Sequence, residues 1–288
     1  MSNARGKSID TTYLSLDLAE ERGLVHRDYI AHCFRWSHVI KLLLKKQSYK
    51  TARILDVGCG KEIPFGKSLY SNRLIPEQYI GVDYGPVYQE DLDIVQTGKM
   101  LERAQIYERT DFMELAQKFD PGHFTHIISF EVLEHVEPTH MRNMLKEMQR
   151  LLNPDGSIII STPCWDRKSC AANHVNEMRY QALGAVFQDL GMGVREVYGT
   201  FASISDYADK LDPDVKKLFD DLREYYDSNV LSTILAPLIP SMSRNALWVV
   251  DKYYDKHMHI DFSDAGEVPW GSSEHWNEML PQHNEASI

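Results

Sequence analysis

Cysteine is scarce in this chain of 288 residues, and its four cysteines (Cys33, Cys59, Cys164 and Cys170) show no paired spacing. No apolar run approaches the roughly 20 residues that a membrane span requires. Residues 1–17 lack the apolar core of a secretory signal. Together these absences predict a protein of the reducing cytoplasm that has no membrane segment.

Basic residues are also in deficit, because 31 Lys and Arg face 42 Asp and Glu, which gives a formal net charge of −11. Residues 255–288 hold seven acids and one Lys, so this segment carries −6 and the rest of the chain about −5. An acidic body disfavours long-range attraction to a nucleic-acid backbone, although it does not exclude a local basic groove.

Strand-like and helix-like segments alternate along the chain, which predicts an α/β fold with a mainly parallel sheet. The apolar run 124–130 (FTHIISF) is typical of a strand that is covered on both faces. The predicted strands are 52–58, 79–85, 104–112, 124–130, 157–163, 194–200 and 245–253. The predicted helices are 27–46, 138–152 and 176–190, with a turn at 153–156.

Three regions are predicted from this pattern. Residues 1–50 form an N-terminal helical segment, residues 51–254 form the main domain, and residues 255–288 form an acidic tail that we expect to be mobile. A structured helical insertion is predicted at 203–243, since a bare loop of that length is uncommon.

Three acids, Asp56, Asp83 and Asp111, fall at the ends of successive predicted strands. In a parallel sheet, ligands bind beyond the carboxyl ends of the strands, so these acids should face one crevice. Gly58 and Gly60 lack a Cβ and let the backbone approach a ligand closely. The pattern favours a nucleotide site; the alternative is a tight turn followed by surface acids.

The acids suit different parts of a nucleotide. Asp83 follows Gly60 by 23 residues, close to the spacing at which a carboxylate binds a ribose diol. Asp111 could accept from an adenine amino group while the Phe112 ring packs on the base. Asp56 would repel a pyrophosphate and instead suits a ligand with a cationic end.

The dinucleotide fingerprint is incomplete, because G-x-G-x-x-G lacks its third Gly and Ile63 stands there. S-adenosylmethionine carries an ammonium and a sulfonium, so it fits Asp56 better than a dinucleotide does. The alternative to a protein that binds S-adenosylmethionine is a nicotinamide-dependent oxidoreductase.

Five motifs in order, ILDVGCG, YIGVD, TDF, IISFEVLEHV and LLNPDGSIIISTP, resemble those of class I S-adenosylmethionine-dependent methyltransferases. The resemblance covers residues 50–200, and NALWVVDK resembles the last strand of these enzymes. Within the family, the ubiquinone-biosynthesis-like type is the one that this sequence resembles. It implies a Rossmann-like seven-stranded sheet with helices on both faces, an antiparallel last strand and a helical insertion before that strand. One departure is Glu62, which stands where the family often has a third Gly.

The resemblance also implies which residues bind the cofactor. Gly58 and Gly60 would line its methionine part, Asp56 its amine, and Arg35 would lie near its carboxylate. Residues 1–50 would cover the cofactor site and 203–243 would face the substrate. The full predicted cofactor set is Arg35, Asp56, Gly58, Cys59, Gly60, Asp83, Tyr84, Asp111, Phe112, Phe130 and Glu131.

A metal site is predicted at FEVLEHVEP, where Glu131, Glu134 and His135 would share one face of a helical turn, with His174 as a fourth ligand. The pattern resembles two metal-dependent groups, the O-methyltransferases of ubiquinone biosynthesis and the small-RNA 3′-end 2′-O-methyltransferases. It also occurs in relatives that bind no metal. Without a divalent cation such as Mg²⁺, His135 and His174 are the candidate general bases.

Besides the oxidoreductase, three functions compete. The first is methyl transfer from S-adenosylmethionine to oxygen or nitrogen of a small-molecule acceptor, which the acidic charge favours. The alternatives are a methyltransferase of nucleic acid or nucleotides and a non-catalytic partner protein that binds S-adenosylmethionine. The sequence predicts no oligomeric state.

Overall fold

The central sheet has seven strands in the order β3-β2-β1-β4-β5-β7-β6, in a computed structural model that describes residues 27–45, 48–98, 102–164, 171–201, 212–226 and 228–262. Strand β7 is antiparallel to both of its neighbours, and the other neighbouring strands are parallel. This topology confirms the predicted fold class. The strands are β1 Arg53–Val57, β2 Gln78–Val82, β3 Ala104–Tyr107, β4 Phe124–Phe130, β5 Leu152–Pro163, β6 Gly193–Phe201 and β7 Asn245–Asp251.

Helices cover both faces of the sheet, which explains the continuous apolar runs of the central strands. Ile127 and Ile128 are neighbours in β4, point to opposite faces, and are both fully buried. Helices α1 and α2 pack on one face, and α4, α5 and α6 on the other. The helices are α1 Arg27–Lys45, α2 Pro64–Ser71, α3 Gln89–Val95, α4 Phe112–Ala116, α5 Pro138–Leu151, α6 Tyr180–Asp189, α7 Pro213–Leu222 and α8 Ser228–Leu235.

Several predicted boundaries differ from the structure; the helix predicted at 176–190, for example, is Tyr180–Asp189. Strand β3 ends at Tyr107 rather than at 112, because the chain turns there and a helix begins at Phe112. The turn predicted at 153–156 lies inside β5 as a bulge, since the pairing with β4 shifts between Leu152 and Ser157.

The predicted insertion contains α7, α8 and two short 3-10 helices, Ala236–Leu238 and Pro240–Met242, whereas residues 203–211 lie outside the described ranges. Part of the predicted tail is packed: Phe262 is buried and its ring lies 5.9 Å from that of Trp248. The tail beyond residue 262 also lies outside the described ranges. None of the described helices has the length and apolar character needed to cross a membrane.

Candidate active site

The loop after β1 turns at two glycines in the left-handed region, Gly58 with φ 73° and Gly60 with φ 76°. The N–H groups of Gly58 and Cys59 both donate to the Val82 carbonyl, at 2.8 and 3.1 Å, which ties the loop to the end of β2. A Cβ on Gly58 would overlap Cγ2 of Val132. Gly58 is therefore required both by its backbone conformation and by a close side-chain neighbour.

The unusual backbone after Gly60 lies at Ile63, one residue beyond Glu62. Ile63 adopts φ 44° and ψ 52° although it is β-branched and fully buried. Ile63 occupies the third-Gly position of the dinucleotide fingerprint and is the N-terminal cap residue of α2, with Pro64 as the first helical residue. A left-handed β-branched residue is a genuine outlier, so α2 begins with a strained residue.

Asp83 follows β2 and holds the glycine loop. Its Oδ2 accepts from the Gly60 N–H at 2.8 Å and its Oδ1 from the Gly85 N–H at 2.7 Å. The carboxylate is therefore oriented by two backbone donors and retains lone pairs for a ligand. The neighbouring Tyr84, also predicted to bind the cofactor, is 84% exposed.

Asp56 is buried beneath the loop, and its Oδ2 accepts from the Tyr79 hydroxyl at 2.6 Å. Burial raises the pKa of Asp56 to about 7; the Tyr79 hydrogen bond opposes this shift and the charge of Asp83 adds to it. Burial, and then Asp56 and Asp83, also raise the pKa of Cys59 well above its ordinary value. Cys59 is thus a neutral packing thiol rather than a nucleophile.

Asp111 and Phe112 lie beside the same edge of the sheet. The side chain of Asp111 caps α4 by accepting from the Met113 N–H at 2.6 Å. Phe112 is buried among core residues. The Thr110 N–H donates to the Asp83 carbonyl at 3.0 Å, which brings this segment next to the loop after β2. Their contact with adenine stays a prediction.

A polar network that the sequence did not reveal joins α1 to β5 and β7. Glu131, which directly follows β4 in the left-handed region at φ 57°, forms an ion pair with Arg35. Glu131 also accepts from Ser161 Oγ and Asn245 Nδ2, both at 2.8 Å. The Arg35 guanidinium lies 6.0 Å from the centre of the Phe130 ring. Arg35 therefore fixes α1 over the carboxyl ends of the central strands.

Of the four predicted metal ligands, Glu134, His135 and His174 come together. One potential ligand atom of each lies within 4.8 Å of the others. Glu134 and His135 belong to the 3-10 helix Leu133–His135, and the His135 and His174 rings meet edge to face at 4.8 Å between centres. The Glu131 carboxylate is instead bound to Arg35, Ser161 and Asn245.

The Nδ1 atom of each imidazole already has a partner. His135 Nδ1 lies 3.0 Å from the Asn173 carbonyl, and His174 Nδ1 contacts the Glu177 carboxylate. Both partners are acceptors, so each Nδ1 carries a proton, and in the neutral form of either ring the lone pair is at Nε2. That is the tautomer of an imidazole that binds a metal through Nε2.

Glu134 completes the cluster from a buried position. Its Oε2 accepts from Thr162 Oγ1 at 3.1 Å, and its Oε1 lies 3.9 Å from His135 Nε2. Burial, and next the charge of Glu131, raise the pKa of Glu134 well above its ordinary value. A buried carboxyl in this position gains from a nearby cation.

Comparison with known proteins finds one matching family and several similar solved structures. A family described as "Methyltransferase domain" matches residues 29–196. A methyltransferase from Archaeoglobus fulgidus that depends on S-adenosylmethionine is 15% identical, with 82% of this chain and 98% of that chain covered and a TM-score of 0.47. A TehB-like methyltransferase from Corynebacterium glutamicum is also 15% identical (83% and 94% covered, TM-score 0.44). The methyltransferase domain of bacterial CtHen1 is 16% identical (77% and 98%, TM-score 0.45). None of the curated sequences matches.

A seven-stranded sheet with an antiparallel β7 and a glycine loop after β1 defines the class of Rossmann-like methyltransferases. The family match spans more than half of the chain, so this chain belongs to the S-adenosylmethionine-dependent methyltransferases.

Proposed function

We propose that this enzyme transfers a methyl group from S-adenosylmethionine to a hydroxyl oxygen of a small molecule, assisted by a divalent cation. The observation that carries the proposal is the convergence of ligand atoms from Glu134, His135 and His174 within 4.8 Å. The cluster begins two residues after Val132, whose side chain lies against Gly58 of the glycine loop. Cofactor loop and cluster therefore share one end of the sheet.

The residues around the glycine loop fit S-adenosylmethionine. Gly58 and Gly60 leave backbone without side chains, Asp83 presents an oriented carboxylate to ribose hydroxyls, and Asp56 is a carboxyl that a cationic amino group stabilises in its charged form. The sulfonium of S-adenosylmethionine supplies a methyl group that is already activated. The protein then contributes mainly orientation of the acceptor.

The donor set of the cluster indicates a transition metal rather than Mg²⁺. Two imidazoles and one carboxylate suit Mn²⁺, Fe²⁺, Co²⁺ or Zn²⁺, whereas Mg²⁺ prefers oxygen ligands and bound water. A bound cation of this kind lowers the pKa of a coordinated hydroxyl group. Thr162 and the Asn173 carbonyl hold Glu134 and His135 in place for that role.

Charge supports a small, uncharged acceptor. Glu134 belongs to the cluster, Glu177 contacts it through His174, and the chain has a net charge of −11. A polyanionic acceptor would approach these carboxylates unfavourably. The cation favours a hydroxyl acceptor, because coordination to a cation lowers the pKa of a hydroxyl group.

The test is a methyl-transfer assay on the full chain with radiolabelled S-adenosylmethionine. Protein stripped with EDTA is given Mg²⁺, Mn²⁺, Co²⁺ or Zn²⁺, and the acceptors are phenols, other hydroxyl compounds, RNA and DNA oligonucleotides. We expect turnover on a hydroxyl compound that EDTA abolishes and Mn²⁺ or Co²⁺ restores. Methyl transfer to oligonucleotides alone would refute the small-molecule acceptor.

Substitutions separate the cluster from the cofactor site. Glu134→Gln and His135→Ala should lower turnover about 100-fold or more while S-adenosylhomocysteine affinity is retained. His140→Ala, at an exposed position of α5, is the matched control and should keep wild-type turnover. Wild-type turnover of His135→Ala in EDTA would refute the role of the cation.

A further inference from the structure

We propose that Glu177 is a positioning residue that fixes the tautomer and the orientation of His174, and thereby sets the affinity of the cation site. The effect on the cation rests on the proposed function, whereas the effect on the imidazole does not. Glu177 lies outside the FEVLEHVEP motif, and its relation to His174 becomes apparent only in the folded chain.

The contact between the two residues is direct and shielded. Oε1 of Glu177 contacts Nδ1 of His174, and the two side chains are 8% and 17% exposed. A carboxylate can only accept, so of the two neutral tautomers it selects the one that is protonated at Nδ1. The lone pair of that tautomer is at Nε2, the nitrogen that the Glu177 contact does not involve.

The segment that carries both residues is attached to the metal-ligand turn by its backbone. The N–H groups of Val175 and Asn176 donate to the Glu134 carbonyl at 2.8 and 3.1 Å. The Asn176 side chain is buried and donates to the Leu133 carbonyl at 3.3 Å. These bonds fix His174 and Glu177 relative to Glu134, so the carboxylate meets an imidazole whose position is already determined.

His135 provides an internal contrast. Its Nδ1 partner is the Asn173 carbonyl, whereas the partner of His174 is a carboxyl group. A charged acceptor polarises the imidazole more strongly and makes Nε2 a better donor to a metal. Glu134 is the carboxyl ligand of the cluster and Glu177 the carboxyl partner of His174, whereas Glu131 is paired with Arg35.

The first measurement is titration of Co²⁺ into the metal-free full chain, followed by its visible absorption. Relative to wild type, Glu177→Ala should bind Co²⁺ about 10- to 100-fold more weakly. Glu177→Gln should fall between them, because its amide oxygen still accepts from Nδ1–H but carries no charge. Glu90→Ala, at an exposed position of α3, is the control and should match wild type. Unchanged Co²⁺ affinity and spectrum in Glu177→Ala would overturn the proposal.

Equal S-adenosylhomocysteine affinity in all four proteins would show that the fold is intact. If Glu177→Ala does not fold, Glu177→Gln decides: weaker Co²⁺ binding supports the proposal and wild-type binding overturns it.

The second measurement is ¹⁵N NMR of the His174 ring in metal-free protein, which does not depend on the proposed function. We expect Nδ1–H in wild type and a mixture of tautomers in Glu177→Ala. A wild-type ring protonated at Nε2 alone would overturn the proposal without any variant. If wild type binds no Co²⁺ but shows Nδ1–H that Glu177→Ala loses, the cation assignment fails and the positioning role stands.

Discussion

The backbone N–H of Gly60 lies 2.8 Å from Oδ2 of Asp83, so the carboxylate after β2 holds the loop after β1 in place. The Gly85 N–H, 2.7 Å from Oδ1, fixes the second oxygen. Two loops that are separate in sequence thus share one acidic residue. An acid in this position both shapes the glycine loop and remains able to accept from a ribose.

Asp83→Asn should weaken S-adenosylhomocysteine binding about 10- to 100-fold. The amide has one acceptor oxygen, so its NH₂ group must face the N–H of either Gly60 or Gly85, and the charge that strengthens both bonds is lost. Isothermal titration calorimetry measures the effect. Asp93→Asn, at an exposed position of α3, should bind as wild type does. Equal affinities of the two variants would contradict the shared role of Asp83.

Gly58→Ala and Gly191→Ala form a matched pair, because both glycines have φ 73° but only Gly58 has a close neighbour, Val132. A Cβ on Gly191 meets open space, so that variant should lose only about 1–2 kcal/mol of unfolding free energy from its left-handed backbone. Gly58→Ala should lose at least about 1 kcal/mol more, together with cofactor binding. Urea unfolding at one pH measures both.

The overlap with Val132 can be tested separately. In the double variant Gly58→Ala with Val132→Ala, the side chain that the new Cβ meets is removed. The double variant should lose less unfolding free energy than the two single variants lose in sum, because the two sites are coupled. Simple additivity would show that Val132 is not the cause.

Asp56 should make stability fall as pH rises from about 4 to about 7. Burial raises the pKa of Asp56 from the ordinary value of 3.8 to about 7, so between these values the folded state binds more protons than the unfolded state. The loss is on the order of 4 kcal/mol and levels off above pH 7. Urea unfolding at pH 5, 6, 7 and 8 should show this slope in wild type and a flatter profile in Asp56→Asn.

The same residue predicts proton release on cofactor binding. An ammonium group near Asp56 favours the charged carboxylate, so S-adenosylhomocysteine binding at pH 7 should release about half a proton. Calorimetry in buffers of different ionisation enthalpy counts the protons. Equal proton release from wild type and Asp56→Asn would show that the cofactor amine does not lie near Asp56.

Local patterns predicted the parts of the fold that local forces determine. The run 124–130 corresponds to β4 in full, since a strand buried on both faces needs apolar residues throughout. The predicted third strand, 104–112, is longer than β3 because this stretch contains no Gly or Pro to mark the end of the strand. Asp111 is instead the N-cap residue of α4. Phe112 follows that cap as the first residue of α4 and packs in the core.

The candidate site divides in the same way. Glu134 and His135 are close in sequence, so their pairing is visible in the motif. Arg35, Ser161 and Asn245 surround Glu131 from three distant segments, and no spacing in the sequence predicts such a tertiary network.

Ile63 offers a test of strain at the start of α2. Ile63→Ala and Ile63→Gly both remove a fully buried side chain, which costs about 2–5 kcal/mol. At φ 44°, however, Gly avoids the left-handed penalty that Ala retains. The Gly variant should therefore be more stable than the Ala variant by about 1 kcal/mol, measured by urea unfolding.

Ile128 in β4 is the control for this comparison, because it is equally buried in ordinary strand backbone. There Gly should be less stable than Ala by about 0.5–1 kcal/mol, owing to the entropy that glycine loses on folding. The sign of the Ala-to-Gly difference should thus reverse between the two sites. The same sign at both would show that Ile63 is unstrained, and the left-handed backbone after Gly60 would then need another cause.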